Sequence, residues 1–389
     1  MKRIALISGT RPEVIKMAPV YFALQQSRHL EPLLVSTGQH RQMLDQALGV
    51  FGIESDRDLG LMQPGQTLPD LTARVLVALT EFLQTEQPDA VLVQGDTTTV
   101  LAAAMAAFYE GIPVGHVEAG LRTGDMRSPF PEEMNRKLTT PLARWHFCPT
   151  KQSRSNLLAE DMPADSLHVT GNTVIDALFW VRDHVENDGQ AGACPLKKDD
   201  VSVPFAERYL LGTETGQRNR FILVTGHRRE SFGTGFENIC RAIADMTQRY
   251  PDLGVLYPVH LNPRVQEPVR RLLGNNPQVA LIEPVGYRTF VWLMNRCHFV
   301  LSDSGGVQEE APSLGKPVLV MRETTERPEG VKAGTCTLVG TDPAKILAEA
   351  DCLLGDDEAY RRRSQLKNPY GDGQAAERIR TVLETDLVG

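Results

Sequence analysis

Short apolar runs rich in β-branched residues alternate along the chain with longer stretches whose apolar positions recur at helical spacing. Ile4 to Ser8, Leu33 to Thr37, Ala90 to Gln94, Val114 to Glu118, His146 to Cys148 and Leu167 to Thr170 read as strands. The pattern then restarts, with Phe221 to Thr225, Val255 to Pro258, Val279 to Ile282, Phe299 to Ser302 and Pro317 to Val320. Alternation of this kind predicts an α/β architecture of parallel sheets covered by helices on both faces.

The stretch 187–204, rich in Gly, Asp and Lys, lacks apolar periodicity and reads as a surface excursion. The domain boundary is placed just before it, at Gly171-Asn172, where the last strand of the first half ends. The expected division is 1–172 and 173–369, with a C-terminal helix in 370–389 crossing back onto the first domain. A length of 389 residues suits two domains at roughly 150 residues each.

Composition narrows the partners. With 41 Lys and Arg against 49 Asp and Glu, the net charge of -8 argues against nucleic acid or an anionic membrane as the main partner. Any bound anion needs a local basic cluster. The six cysteines show no C-x-x-C pair and no zinc-ligand spacing, so they read as reduced structural thiols and no metal is expected. The N-terminus lacks the apolar run of a signal peptide, and no stretch is apolar for the ~18 residues of a membrane span. A cytoplasmic location is expected.

Open parallel sheets bind ligands in the loops beyond the carboxyl ends of their strands. Those loops hold most of the unusual residues. Ser302-Asp303-Ser304-Gly305-Gly306 runs from a strand into a helix that begins with Val307 and carries Glu309 and Glu310. Backbone N–H groups there suit a diphosphate, and a carboxylate one turn on suits a ribose. An ordinary Gly-rich turn has the same letters. Gly9-Thr10-Arg11-Pro12 opens a helix bearing Lys16, so Arg11 and Lys16 are either two cations over a ligand or solvated charges. Asp96 ends a strand and doubles as a candidate helix N-cap. Alternation puts His116 and Glu118 on one face, with Glu118 reaching the loop. Glu132 opens a helix, where a carboxylate also serves as dipole compensation. Gly226-His227-Arg228-Arg229 places a histidine between strand and loop beside two arginines, where it can share a proton with a phosphate oxygen near neutral pH. Gly371-x-Gly373-x-x-Ala376 does not follow a strand and Lys316 is followed by Pro317, so neither a dinucleotide fingerprint nor a Walker loop is present. No cofactor is expected.

Together the segments GTRPEVIKMAP, QGDTTT, HVEAGLRTGD, PFPEEMNR, GNTVIDAL, VTGHRRESFG, SDSGGVQEEAPSLGKPVL and NPYGDGQA resemble the non-hydrolysing UDP-N-acetylglucosamine 2-epimerases over nearly the whole chain. The resemblance implies two Rossmann-like domains facing across a cleft, as in GT-B glycosyltransferases, a homodimer, and UDP held mainly by the second domain. It puts Arg11 and the Ser304-Gly305-Gly306 turn at the diphosphate, with Lys16 among the substrate-binding cations, Phe290 at the uracil, Glu310 at the ribose and Arg327 nearby. Asp96, Glu118, Glu132 and His227 fall on catalytic positions. Gln39, His40 and Gln42 match a region that holds a second UDP-N-acetylglucosamine as activator in several relatives. Val285 stands where some relatives have Gln, which leaves base recognition there to backbone groups.

The implied reaction inverts carbon 2 of the sugar, giving UDP-N-acetylmannosamine for surface polysaccharide. The proton on carbon 2 is not next to a carbonyl, so an electron sink is needed, and loss of UDP from carbon 1 through a 2-acetamidoglucal supplies one. Competing readings are an epimerase of a modified UDP-sugar such as a 2,3-diacetamido uronic acid, a hydrolysing epimerase, a GT-B glycosyltransferase and a non-catalytic sensor. The run of strand-end carboxylates argues against the last two.

Overall fold

The structure is a computed structural model that describes residues 1–38, 41–61, 63, 65–187, 195–196, 201–211 and 219–389, with the backbone alone for 41–43 and 186–187. Gln39, His40, the side chain of Gln42 and most of the 187–204 excursion therefore lie outside the described residues. The chain divides into two compact units, Met1–Trp180 with Tyr370–Gly389, and Val181–Pro369.

The first unit holds β1 (Lys2–Ser8), β2 (Leu30–Ser36), β3 (Arg57–Asp58), β4 (Ala90–Gln94), β5 (Val114–Val117), β6 (Trp145–Cys148) and β7 (Leu167–Val169). They form one parallel seven-stranded sheet in the order β3-β2-β1-β4-β5-β6-β7. The second unit holds β8 (Phe221–Thr225), β9 (Gly254–Pro258), β10 (Val279–Ile282), β11 (Val300–Ser302), β12 (Val318–Val320) and β13 (Cys336–Leu338). Their parallel sheet runs β10-β9-β8-β11-β12-β13. Each order reverses once, between β1 and β4 and between β8 and β11. Ligand crevices form at such reversals, because the connections on either side leave for opposite faces.

Central strands are apolar on both faces because helices cover both. Ile4 to Ile7 and Ala90 to Val93 are all buried. Val75, Leu79, Val91 and Val100 share one core, and Ile222, Phe236, Val255 and Leu319 share the corresponding core of the second unit. Each such aliphatic side chain contributes roughly 1.5–3 kcal/mol by leaving water. The two strands missing from the sequence reading, β3 and β13, are sheet edges of two and three residues, each held by a neighbour on one side only. In the first unit the C-terminal helix Ala375–Val388 packs on the helix Arg11–Gln25, and Trp145 Nε1 donates to Asp386 at 2.7 Å. No helix among the described residues is long and apolar enough to cross a membrane.

Candidate active site

In the first unit the loops after β1 and β4 flank the reversal of strand order. Gly9 lies where the two loops close on each other: a Cβ there would sit 2.5 Å from Thr99 Oγ1 and 2.6 Å from Thr37 Oγ1, so only glycine fits without displacement. Thr10 precedes the helix that begins with Arg11, and Glu13 reaches back to the N–H groups of Gly9 and Thr10. The other oxygen of Glu13 accepts from Thr97 Oγ1 at 2.6 Å, tying this loop to the one after β4. Burial pushes the Glu13 carboxyl above its usual range, against the hydrogen bonds from Thr97, Gly9 and Thr10. The signal was available in the sequence, since Thr-x-x-Glu is a capping box. Arg11 itself is half-buried.

Asp96 is not the N-cap that the sequence suggested. That role falls to Thr97, whose side chain accepts from Val100 N, because the helix starts one residue later at Thr98. Asp96 is released for another partner: its Oδ2 accepts from Arg136 Nε at 2.9 Å and Nη2 at 2.6 Å. Arg136 also donates to Glu133 at 3.0 Å, and Glu133, fully buried, accepts the N–H groups of Thr123 and Gly124 at 3.1 Å each. Burial works against the Arg136 charge, yet the two carboxylates carry its pKa above the usual arginine value. Glu133 and Arg136 were passed over in the sequence, although their i,i+3 spacing on a helix brings them together.

Glu132 is the first residue of the helix Glu132–Thr139, and its Oε2 is shielded from solvent without a hydrogen-bond partner among the described residues. A carboxylate oxygen left in that state is costly.

Glu118 departs from the alternation predicted for it. β5 ends at Val117, and Glu118 adopts a left-handed backbone with φ of 68°. A non-glycine residue there costs of order 1 kcal/mol and persists only where its surroundings hold it. They do: the N–H groups of Glu118 and Ala119 both donate to the Phe147 carbonyl, at 3.0 and 3.1 Å. The Glu118 carboxylate accepts from Gln94 Nε2 and pairs with Lys16 Nζ. Lys16 is thus paired with a carboxylate, and no spacing rule links residues so far apart in the chain. His116 stays in the strand, 1% exposed, with Nε2 at 2.7 Å from the Gly95 carbonyl, and burial pulls its pKa down to about 4. It is a neutral structural histidine.

In the second unit the loops after β8 and β11 flank the reversal. Asp303 is 1% exposed and its Oδ2 accepts the N–H groups of His227 and Arg228 at 2.7 and 2.8 Å. Burial alone would raise this carboxyl, but the imidazole and the amides outweigh it and hold it below the ordinary aspartate value. His227 stands outside, its side chain 44% exposed, with its ring stacked on that of His260 at 5.5 Å. Ser304 precedes the short helix Gly305–Glu310, and its N–H donates to Ser302 Oγ at 3.0 Å.

Glu309 and Glu310, alternatives for one role in the sequence, are separated by their partners. Glu309 takes the Arg327 Nε at 2.8 Å, and the Arg327 guanidinium lies over Gly305, where a Cβ would meet it at 3.3 Å. Glu310 accepts the Tyr287 hydroxyl at 2.5 Å, at the start of the helix Tyr287–Arg296 that also carries the half-buried Phe290. Tyr287 was not singled out in the sequence, since an aromatic beside a glycine carries no distinctive signal. No group of three His, Cys, Asp or Glu among the described residues is arranged to hold a metal ion.

Comparison with known proteins shows the family. The family model described as UDP-N-acetylglucosamine 2-epimerase matches residues 22–384. The chain is 54% identical over 383 residues to the UDP-N-acetylglucosamine 2-epimerase of Salmonella typhimurium, spanning 98% of each chain. The crystal structure of UDP-GlcNAc 2-epimerase from Neisseria meningitidis bound to UDP-GlcNAc is similar with a TM-score of 0.85 at 46% identity, covering 100% of both chains. A glycotransferase of kitacinnamycin, at 12% identity and a TM-score of 0.64 over 99% of this chain and 98% of its own, shares the two-domain GT-B-like fold alone. The chain belongs to the UDP-N-acetylglucosamine 2-epimerase family and is an isomerase with two parallel-sheet α/β domains.

Proposed function

We propose that this protein interconverts UDP-N-acetylglucosamine and UDP-N-acetylmannosamine by eliminating and re-adding UDP. A carboxylate takes the carbon 2 proton, the carbon 1–oxygen bond breaks with its electrons passing to UDP, and a carbon 1–carbon 2 double bond forms. A second acid then delivers a proton to the opposite face of carbon 2 while the UDP oxygen re-forms its bond to carbon 1. Asp96, Glu118 and Glu132 are the acid/base candidates of the first unit. Arg11, His227 and the Ser304-Gly305-Gly306 turn serve the diphosphate, with Glu310, Phe290 and Arg327 serving the nucleoside side.

The observation that carries this reading is the differing environments of the three carboxylates. Asp96 is charge-paired by Arg136, Glu118 by Lys16, and Glu132 keeps a shielded oxygen without a donor among the described residues. Acid/base chemistry on two faces of one ring calls for groups held in different protonation environments, and such pairs mark acid and base assignments. The homodimer and an activating second UDP-N-acetylglucosamine belong to the same reading; sedimentation tests the first, and reverse-reaction rates with added UDP-N-acetylglucosamine test the second.

The deciding experiment is proton NMR of the protein with UDP-N-acetylglucosamine in heavy water, with EDTA and without nicotinamide. UDP-N-acetylmannosamine signals with deuterium at carbon 2 are expected. Silence from folded, UDP-binding protein would turn the reading toward a modified UDP-sugar.

A further inference from the structure

The two oxygens of Asp303 have different duties. Oδ2 is committed to the backbone N–H groups of His227 and Arg228, at 2.7 and 2.8 Å. Oδ1 is shielded from solvent and takes no hydrogen bond from the described residues, while His227 Nδ1 faces it at 3.3 Å. A buried carboxylate oxygen without a donor is costly, so the surroundings favour a proton on Nδ1. The ring is stacked on His260 and its side chain is 44% exposed, and Nε2 is the ring nitrogen that does not face Asp303.

We infer that Asp303 is a positioning residue that holds His227 with its proton on Nδ1, leaving Nε2 as the nitrogen that exchanges a proton with the diphosphate. In the imidazolium form Nε2 gives its proton to the departing diphosphate oxygen as that oxygen gains the electrons of the carbon 1 bond, and the neutral Nδ1–H ring remains. On re-addition the same proton returns. The inference rests on the proposed role of His227 at the leaving UDP.

Asp303→Asn separates this role from a packing role. The two backbone N–H groups require an acceptor, so the amide oxygen of the variant takes the Oδ2 position and its NH2 faces Nδ1. Nδ1 must then accept, which moves the proton to Nε2 while the loop keeps its hydrogen bonds. The expected result is a fall in kcat of roughly 100-fold or more, as for other histidines forced into the wrong tautomer. KM should stay within about threefold, since ground-state binding is retained. Nitrogen-15 NMR of the His227 ring should report Nδ1–H in the wild type and Nε2–H in the variant. Adding Asp303→Asn to His227→Gln should lower kcat no further, because the two residues act as a unit.

An inactive His227→Gln beside a fully active Asp303→Asn would overturn the inference and leave the role of His227 intact. Additive losses in the double variant would do the same. Wild-type turnover in His227→Gln would remove the leaving-group reading, and this inference with it. If Asp303→Asn does not fold, the wild-type ring decides alone: a proton on Nε2 overturns the assignment.

Discussion

Asp303, at the strand-order reversal of the second unit, and Asp96, at that of the first, use the same materials in opposite arrangements. In the second unit Asp303 and Glu309 are the inner members of two pairs: the Asp303 side chain is 1% exposed against 44% for His227, and Glu309 2% against 15% for Arg327, whereas Arg322 at 8% lies inside Glu230 at 53%. In the first unit the Asp96 side chain is the outer member at 26%, and its cation Arg136 the inner one at 9%. Two other first-unit pairs depart from this: Glu118 at 5% with Lys16 at 15%, and Glu133 at 0% with Arg136 at 9%. At Asp303 and Glu309 a buried acid therefore holds out a proton donor and a cation, which suits an anionic diphosphate. At Asp96 an arginine holds out an acid, which suits proton exchange at carbon. The strained backbone of Glu118 marks a position where the surroundings override local preference, as at many functional sites.

The largest test of this contrast is Glu118→Ala. Turnover should fall by about 10³-fold, within the usual reach of a general acid or base, read as deuterium entry at carbon 2. Turnover near wild type would remove Glu118 from the catalytic set. Arg136→Met comes next, since it strips the cation from Asp96 and from the buried Glu133; removing one partner of a buried ion pair costs about 3 kcal/mol or more. A denaturant midpoint unchanged by this variant would mean that Arg136 does not hold the acid loop. Gly9→Ala should cost about 1–3 kcal/mol, as overpacking does, because its methyl meets two threonine hydroxyls. Combining it with Thr99→Ala tests whether that clash is the cause, since loss of the Thr99 hydroxyl should restore part of the stability.

The smallest effect sharpens the contrast between buried acids. Asp303 is held below the usual aspartate range, whereas Asp176, which accepts the Ala376 N–H at 2.9 Å, is pushed by burial up to about 6. Between pH 4 and 6 the folded chain then binds more protons at Asp176 than the unfolded chain, whose value lies near 3.8. Its contribution to stability is present at low pH and is lost as pH rises through that window, by on the order of 1 kcal/mol. Unfolding followed from pH 4 to 7 should lose this slope in Asp176→Asn. An unchanged slope would assign it elsewhere.

Much of the fold was legible because buried parallel strands are written as unbroken apolar runs. Ile4 to Ser8 and Phe221 to Thr225 could hardly be anything else, while Arg57–Asp58 and Cys336–Leu338 became strands only through the neighbours they hydrogen-bond. The candidate site divides along the same line. The sequence by itself determined which loops carry the chemistry and which residue types stand in them, since strand ends and turn residues are local features. Only the tertiary structure decided the pairings: Lys16 with Glu118, Asp96 with Arg136 and Glu133, Asp303 with His227, and Tyr287 with Glu310. Of these contacts only Glu133 with Arg136 falls within one helical turn. The others join loops that strand order brings together, and no periodicity encodes strand order. A sequence names the charged groups, but their environments follow from which ones the sheet makes neighbours.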